Sequence, residues 1–416
     1  MRNTINVFAP VIIGNRIEYK YEVMGEWKEA FNLEESFFIE YSRDISGISQ
    51  STAIVPFICN ILPIAWVYDA EIHAERCDKA FYESISEFKK GYFDMYPHMD
   101  FKGSFNVDIL EENSYDGEGT AAFFSGGVDA FNTLVNHCDE KPLLMTIWGA
   151  DVKLNDTAGW KNVENHLKFT AEKFGIQFIT IKSNFRQFIK ESVLSTKVRG
   201  ISGDNWWHGF QHGIGIIGHA APVCSAMKKS TVYFASSFTV AEKGKITCAS
   251  DPTIDNFVKF GCTHIVHDGY EFDRQDKVHN ITEFSERTGI NIPLRVCWQS
   301  TGGRNCCQCE KCWRTILEII AEGKNAQDFD FKYTQSDLKN FHKLYYDKKN
   351  IPDYRRDSVY SETQKLMRKN LNCSDLPKEL QWFYKTDIKK LGHHPFRQGF
   401  NKCLEKAKRV IRKFVK

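Results

Sequence analysis

The chain has 416 residues, 42% of them hydrophobic and 14% aromatic, which supplies a large buried core and exceeds the length of one average domain. Its formal net charge of +2 gives no general reason to expect nucleic acid as the main partner. The opening MRNTINVFAP has no long apolar segment, so no signal peptide is expected, and the thirteen cysteines read as reduced cytoplasmic thiols, some binding metal, rather than as a disulfide framework.

Residues 1–115 read as an α+β domain of their own, with no role that the sequence assigns. INVFAPVIIGNRIEYKYEV and ESFFIEYS alternate apolar and polar residues as half-exposed strands do. AIVPFICNILPIAWV, residues 53–67, is the most apolar stretch. Its two prolines and short length argue against a membrane span, and it reads as core strands. AERCDKAFYESISEFKKGYFDMY has apolar residues near a 3.6 period and predicts an amphipathic helix. DILEENSYDGEGTA is acidic and polar, with the character of a linker.

From about residue 118 strands and helices alternate. TAAFF predicts a short buried strand, VDAFNTLVNH a helix, KPLLMTIWG a strand, WKNVENHLKFTAEKFG a helix and IQFITIKS a third strand. HGFQHGIGIIGHAAPVCSAM (helix) and TVYFASS (strand) follow. This alternation predicts an α/β fold, a parallel sheet with helices on both faces. After residue 324 the chain reads as helical and charged. From Lys385 to Lys416 eight lysines and three arginines face only Asp387 and Glu405, so this end suits an anionic membrane surface, an acidic partner, or a solvated terminus.

Within this pattern AAFFSGGVDAF, residues 121–131, places Ser125, Gly126 and Gly127 between a buried strand and a helix that starts near Val128. Glycines let the backbone turn sharply and bring its N–H groups close to a ligand. The first helical turn adds further N–H groups and the positive end of the helix dipole, which together suit phosphate. Neither the Walker loop nor the dinucleotide fingerprint fits. A second constellation is VCWQSTGGRNCCQCEKCWRT, in which Cys297, Cys306, Cys309 and Cys312 are spaced C-x8-C-x2-C-x2-C. Four thiolates close a tetrahedral zinc site with no vacancy for a catalytic water, and Arg304, Lys311 and Arg314 would offset its charge. Cys307 is an alternative to Cys306, and an iron–sulfur cluster is the rival metal centre.

The loop resembles the Ser-Gly-Gly-x-Asp-Ser motif of the PP-loop ATP pyrophosphatases. That resemblance implies that Ser125, Gly126, Gly127, Val128 and Asp129 hold the pyrophosphate of ATP and its Mg2+, with Asp129 in a catalytic position. Ala130 stands where the motif has its second serine. Loop and cysteine spacing together, over residues 118–323, resemble the 7-cyano-7-deazaguanine synthase (QueC) family. That family binds zinc through four cysteines and uses ATP to adenylate a carboxylate, which ammonia converts to an amide and then a nitrile. FDRQDKVHNI resembles the family's lysine-containing helix start, which implies a phosphate contact for Lys277; the alternative is an exposed helical lysine. The family's Tyr-Pro-Asp-Cys segment is missing, ASDPTIDNF standing in its place, and WGADVKL replaces its Gly-Gln-Arg-His loop.

The resemblance implies an ATP-dependent ligase or synthase acting on a small carboxylate with ammonia or an amine as nitrogen donor. A PP-loop tRNA-modifying enzyme and a non-catalytic, zinc-stabilised nucleotide-binding module are the alternatives. Further candidates lie beyond the ends of predicted strands. They are His208, His212 and His219, for substrate contact or core packing; Ser236 and Ser237; and Asp151, Asp251, Asp255 and Asp268, for site lining or loop stabilisation.

Overall fold

The computed structural model describes residues 2–297, 299, 302–346 and 356–388. Its contacts divide the chain into two compact units, one of Met1–Arg295 with Ser300–Arg304 and one of Val296–Gln299 with Asn305–Lys416. The basic segment beyond 388 lies outside the described residues.

Among the described residues the first unit has thirteen strands: β1 Thr4–Val7, β2 Val11–Ile13, β3 Arg16–Tyr19, β4 Tyr21–Met24, β5 Phe37–Tyr41, β6 Glu71–Asp78, β7 Ser104–Glu111, β8 Thr120–Phe123, β9 Leu143–Trp148, β10 Phe178–Ser183, β11 Thr231–Ala235, β12 Lys259–Phe260 and β13 Thr263–Asp268. Its helices are α1 Gln50–Ala53, α2 Val55–Tyr68, α3 Lys79–Met95, α4 Val128–Asn136, α5 Thr157–Phe174, α6 Glu191–Ser202, α7 Ile214–Ile217, α8 Ala220–Met227, α9 Pro252–Asp255 and α10 Arg274–Thr288.

The architecture is mixed α/β. A nine-stranded sheet has the order β12-β13-β11-β8-β9-β10-β5-β3-β2. Its middle five strands, β13-β11-β8-β9-β10, are all parallel. Antiparallel strands extend it at both edges: β12 on β13, and β5, β3 and β2 beyond β10. The sheet is therefore mixed rather than wholly parallel. The boundary expected near residue 115 does not separate compact units either. The N-terminal residues build a four-stranded sheet of their own, β4-β1-β6-β7, yet they also lend β2, β3 and β5 to the large sheet. A parallel edge left at β10 would expose a row of unpaired backbone groups, and β5 covers it.

The expected core strands at 53–67 are instead helix α2. All but one of its residues are buried, so it reads as apolar all round, without the one-sided pattern of a surface helix. Pro56 falls in the first turn, where a missing N–H costs nothing, and only Pro63 interrupts the bonding. Asn60 ties α2 inward: its Nδ2 donates to the Pro56 carbonyl (2.8 Å) and the Gly215 carbonyl (3.2 Å), and its Oδ1 accepts from Gln211 Nε2 at 2.8 Å. Rings of Tyr19, Phe37 and Phe188 pack against Phe57 of α2.

In the second unit every described regular element is helical. Glu310–Ala321 (α11) is followed by Gln335–Tyr346, Ser361–Asn370 and Gln381–Lys385, around an aromatic core of Trp313, Phe341, Tyr345, Trp382 and Phe383. The cysteine cluster belongs to this unit, whereas the sequence boundary at 324 grouped it with the glycine loop. No helix among the described residues is long and apolar enough to cross a membrane.

Candidate functional site

Numbered among themselves, the five parallel strands run 3-2-1-4-5 across the sheet, with β8 first. The strand order reverses between β8 and β11. In open α/β sheets ligands enter the crevice beyond the carboxyl ends of the strands at such a switch point. The loop that follows β8 is Ser125-Gly126-Gly127.

Gly126 has φ +77, the left-handed region. A Cβ added there would stand 2.6 Å from His166 Cε1, so two constraints exclude a side chain. His166 is fixed by a hydrogen bond from its Nε2 to the Pro293 carbonyl. Gly127 is the extended N-cap of α4, and its N–H donates to Ser125 Oγ at 3.3 Å. The nine-residue helix then starts at Val128, and the first-turn N–H groups of a helix have no intrahelical acceptors.

Cations surround this turn. Arg295 Nη2 and Nε donate to the Ser125 carbonyl at 2.6 and 3.1 Å, and its backbone N–H donates to the Gly126 carbonyl at 2.7 Å. Lys277, from the first turn of α10, is only 2% exposed. Its Nζ donates to the Ser236 carbonyl at 2.6 Å and to Asp129 Oδ1 at 3.3 Å. Arg274 Nη1 lies 3.9 Å from Asp129 Oδ2. The exposed-lysine alternative for Lys277 is thereby overturned: its buried amine joins the first turn of α4 to the end of β11. Asp273 and Asp276 form the capping box that starts α10. Arg274 and Arg295 were not picked out from the sequence. The usable signals were the position of Arg274 in FDRQDK and of Arg295 two residues before Cys297. Ala130 lies in the first turn of α4 and is 5% exposed.

The other candidates separate into distinct roles. Asp268 accepts from Thr133 Oγ1 (2.6 Å) and pairs with His137 Nε2 (2.8 Å), tying α4 to β13. Burial would raise its carboxyl, but these two partners outweigh it and hold the group below its ordinary value. Asp251 caps α9, accepting from the Thr253 N–H at 2.9 Å. Asp255 is fully buried against His267 Nδ1 (2.8 Å) and Ser250 Oγ (3.0 Å), and burial raises its carboxyl. Ser236 Oγ donates to the Phe238 carbonyl at 2.6 Å, while Ser237 and Asp151 are exposed. His219 is a core residue, bonded to Ser183 Oγ and the Gly215 carbonyl at 2.9 Å each, and burial lowers it to about 4. His212 Nδ1 lies 3.9 Å from Cys248 Sγ, and His208 Nδ1 pairs with Asp204 Oδ2 at 2.8 Å.

In the second unit the Sγ atoms of Cys297, Cys306, Cys309 and Cys312 all lie within 4.8 Å of one another. The Cys297–Cys309 and Cys306–Cys312 separations are 3.9 and 4.0 Å. Tetrahedral zinc with bonds of about 2.3 Å sets its sulfurs about 3.8 Å apart, so the donor set fits such a metal. Cys309 is the N-cap of α11 and Cys312 lies in its first turn. Asn305 Oδ1 accepts from the Val296 and Cys297 N–H groups and fixes the first ligand. Cys307 stands outside the group, is 2% exposed, and its thiol is pushed up to about 12 by burial, so Cys306 is the member of the set. Of the cations expected to offset the cluster, Arg304 donates to Asn162 Oδ1 at 3.2 Å and Arg314 lies 3.7 Å from Glu310. No protein-family model, curated protein or solved structure matches the chain.

Proposed function

We propose that the chain is an ATP-dependent ligase of the PP-loop type, related to 7-cyano-7-deazaguanine synthase, that adenylates a carboxylate for nitrogen transfer. The observation that carries this reading is the placement of Ser125-Gly126-Gly127, with Lys277, Arg274 and Arg295 around it, at the β8–β11 switch point. The amides of Gly126, Gly127 and Val128 and the Ser125 hydroxyl cradle the pyrophosphate part of ATP, and Lys277 and Arg274 stabilise the charge that develops as it leaves. Asp129, its side chain 24% exposed, is the carboxylate suited to hold Mg2+. When bound, that ion neutralises the phosphate oxygens. The substrate carboxylate oxygen attacks the α-phosphorus, the bond to pyrophosphate breaks, and an acyl-adenylate results. The four-cysteine site takes a structural zinc, since all its ligand positions are filled by protein.

One observation favours a second reading, a nucleotide-binding module without turnover: Ala130 supplies no hydroxyl in the first turn of α4, and a charge-assisted hydrogen bond is worth about 1.5–3 kcal/mol. The test is product analysis with ATP, Mg2+, ammonium and 7-carboxy-7-deazaguanine, beside a panel of other carboxylates. AMP and pyrophosphate should form with at least one carboxylate, and Lys277→Met should slow their release about a hundredfold or more. ATP binding without AMP under every condition, in the wild type and in Ala130→Ser alike, would favour the binding module.

A further inference from the structure

We infer that Cys248 is a second reactive centre, a thiolate nucleophile served by His208 and positioned to receive the acyl group from the adenylate. The inference rests on the adenylation reading for its electrophile, but the thiol stands on its own geometry. Cys248 Sγ lies 3.9 Å from His212 Nδ1, and His208, four residues earlier, acts on the same thiol. His208 Nδ1 pairs with Asp204 Oδ2 at 2.8 Å, and Thr247 Oγ1 donates to the same oxygen at 3.0 Å. A thiol, two histidines and a carboxylate that orients one of them are thus gathered, the groups that activate a cysteine. The Ala249 N–H donates to the His208 carbonyl at 2.8 Å, which locks the cysteine strand of the loop against the histidine turn. That turn, Trp207–Gln211, is a π-helix, a local geometry common at functional sites.

The chain's other buried thiols show what a packing cysteine looks like here. Cys59, Cys77 and Cys224 are fully buried and burial pushes each of them up. Cys248 is 4% exposed, and burial acts on it in the same direction, yet the hydrogen bonds from His208 and His212 outweigh it and draw the thiol down to about 6. The bonds to Asp204 and then Cys248 lift His208 to about 10. Between those values the pair is thiolate and imidazolium. The groups around it are Asp204, His208 and His212 on the preceding segment, Tyr92 of α3 and Tyr96 at its C-cap, and Asp255 of α9, with Asp151 acting on His212. The Oδ1 atom of fully buried Asp255 has no hydrogen-bond partner among the described residues and lies 2.6 Å from where a Cβ on Gly213 would stand, an acceptor bordering the cluster.

Its placement links the thiol to the glycine loop. Phe234 of β11 meets the His212 ring edge-on at 6.2 Å, and Phe238 meets the His208 ring at 6.0 Å. Between those two phenylalanines lies Ser236, whose carbonyl accepts from Lys277. Cys248 with its histidines and the phosphate-gripping lysine therefore share residues 234–238, at and just beyond the carboxyl end of β11.

The chemistry balances with the reactants already named. The thiolate attacks the acyl carbon, a C–S bond forms, and the C–O bond to AMP breaks with the electron pair leaving on AMP. With the thiolate consumed and only Asp204 left as its counter-anion, His208 gives a proton to water. The amine then attacks the thioester, a C–N bond forms, the C–S bond breaks, and His208 takes the amine proton while the thiolate is restored.

The test is iodoacetamide labelling of the full-length protein from pH 5 to 10, with peptide mapping by mass spectrometry. Cys248 should alkylate with an inflection near pH 6 and, at pH 6.5, at least tenfold faster than exposed Cys262. Asp204→Asn, which probes a positioning residue, and His208→Gln should move that inflection upward while leaving Cys262 unchanged. Labelling of Cys248 slower than Cys262, or an inflection that neither variant moves, would overturn the activated thiol. With a carboxylate that yields AMP, the wild type without amine should carry a hydroxylamine-labile adduct on Cys248, and Cys248→Ala should release pyrophosphate once, retain the acyl-adenylate and form no amide. Amide formation by Cys248→Ala at the wild-type rate would overturn the acyl-transfer role. Absence of AMP in the wild type with every carboxylate would instead remove the adenylation reading, and the labelling profile would still decide the thiol.

Discussion

The four sulfurs of the cysteine cluster come from residues 297–312, whereas the groups around the glycine loop come from positions as distant as Ser125, Ser236, Lys277 and Arg295. The first site is built from side chains on one short stretch, closed by a capping cysteine at α11 and by Asn305 beneath Cys297. The second is built from backbone, a left-handed glycine and a helix start, and gains its charge only because strand order brings β8 and β11 side by side. A site of the first kind depends on what it binds. A site of the second kind exists as part of the sheet and fails when its backbone is disturbed.

The strongest way to break this contrast is Cys309→Ser, or exhaustive chelation. The binding energy of a structural zinc is also folding energy, about 10–16 kcal/mol in small zinc domains. The expected result is loss of one zinc per chain, measured by elemental analysis, with a separate low-temperature unfolding step for the second unit in calorimetry. An unchanged thermogram after complete metal removal would mean that the aromatic core around Trp313 holds that unit without metal.

Gly126→Ala has a smaller global effect and a sharper local one. The left-handed φ costs about 1–3 kcal/mol for a side chain, and contact with His166 adds to it. ATP affinity, measured calorimetrically, should fall tenfold or more. Gly175, at φ +62 with nothing within 4 Å of an added Cβ, is the comparison: Gly175→Ala should destabilise through backbone strain alone and leave ATP binding intact. Equal ATP affinity in wild type and Gly126→Ala would remove the loop from the site.

The smallest effect is expected for Cys307→Ser. Cys307 is buried outside the sulfur group, so zinc content should stay at one per chain, while burying a hydroxyl costs about 1–3 kcal/mol. Loss of zinc in this variant would show that Cys307 exchanges with Cys306.

The sequence by itself determined what depends on neighbours in the chain. The cysteine spacing specified four sulfurs that can hold one metal ion, because ligands a few residues apart can close on an ion whatever surrounds them. The strand–glycine–glycine–helix run specified a tight turn after β8 for the same local reason. Tertiary structure decided everything that depends on which strands become neighbours. AIVPFICNILPIAWV is a helix because burial on all sides removes the one-sided pattern that marks helices in sequence, and its prolines fall where a helix tolerates them or nearly so. β2, β3 and β5 join the large sheet because its edge at β10 needed covering. Lys277 is buried against Ser236, Arg295 grips Ser125, and Cys248 meets His212 only because packing carries a long-range contact that no local spacing encodes.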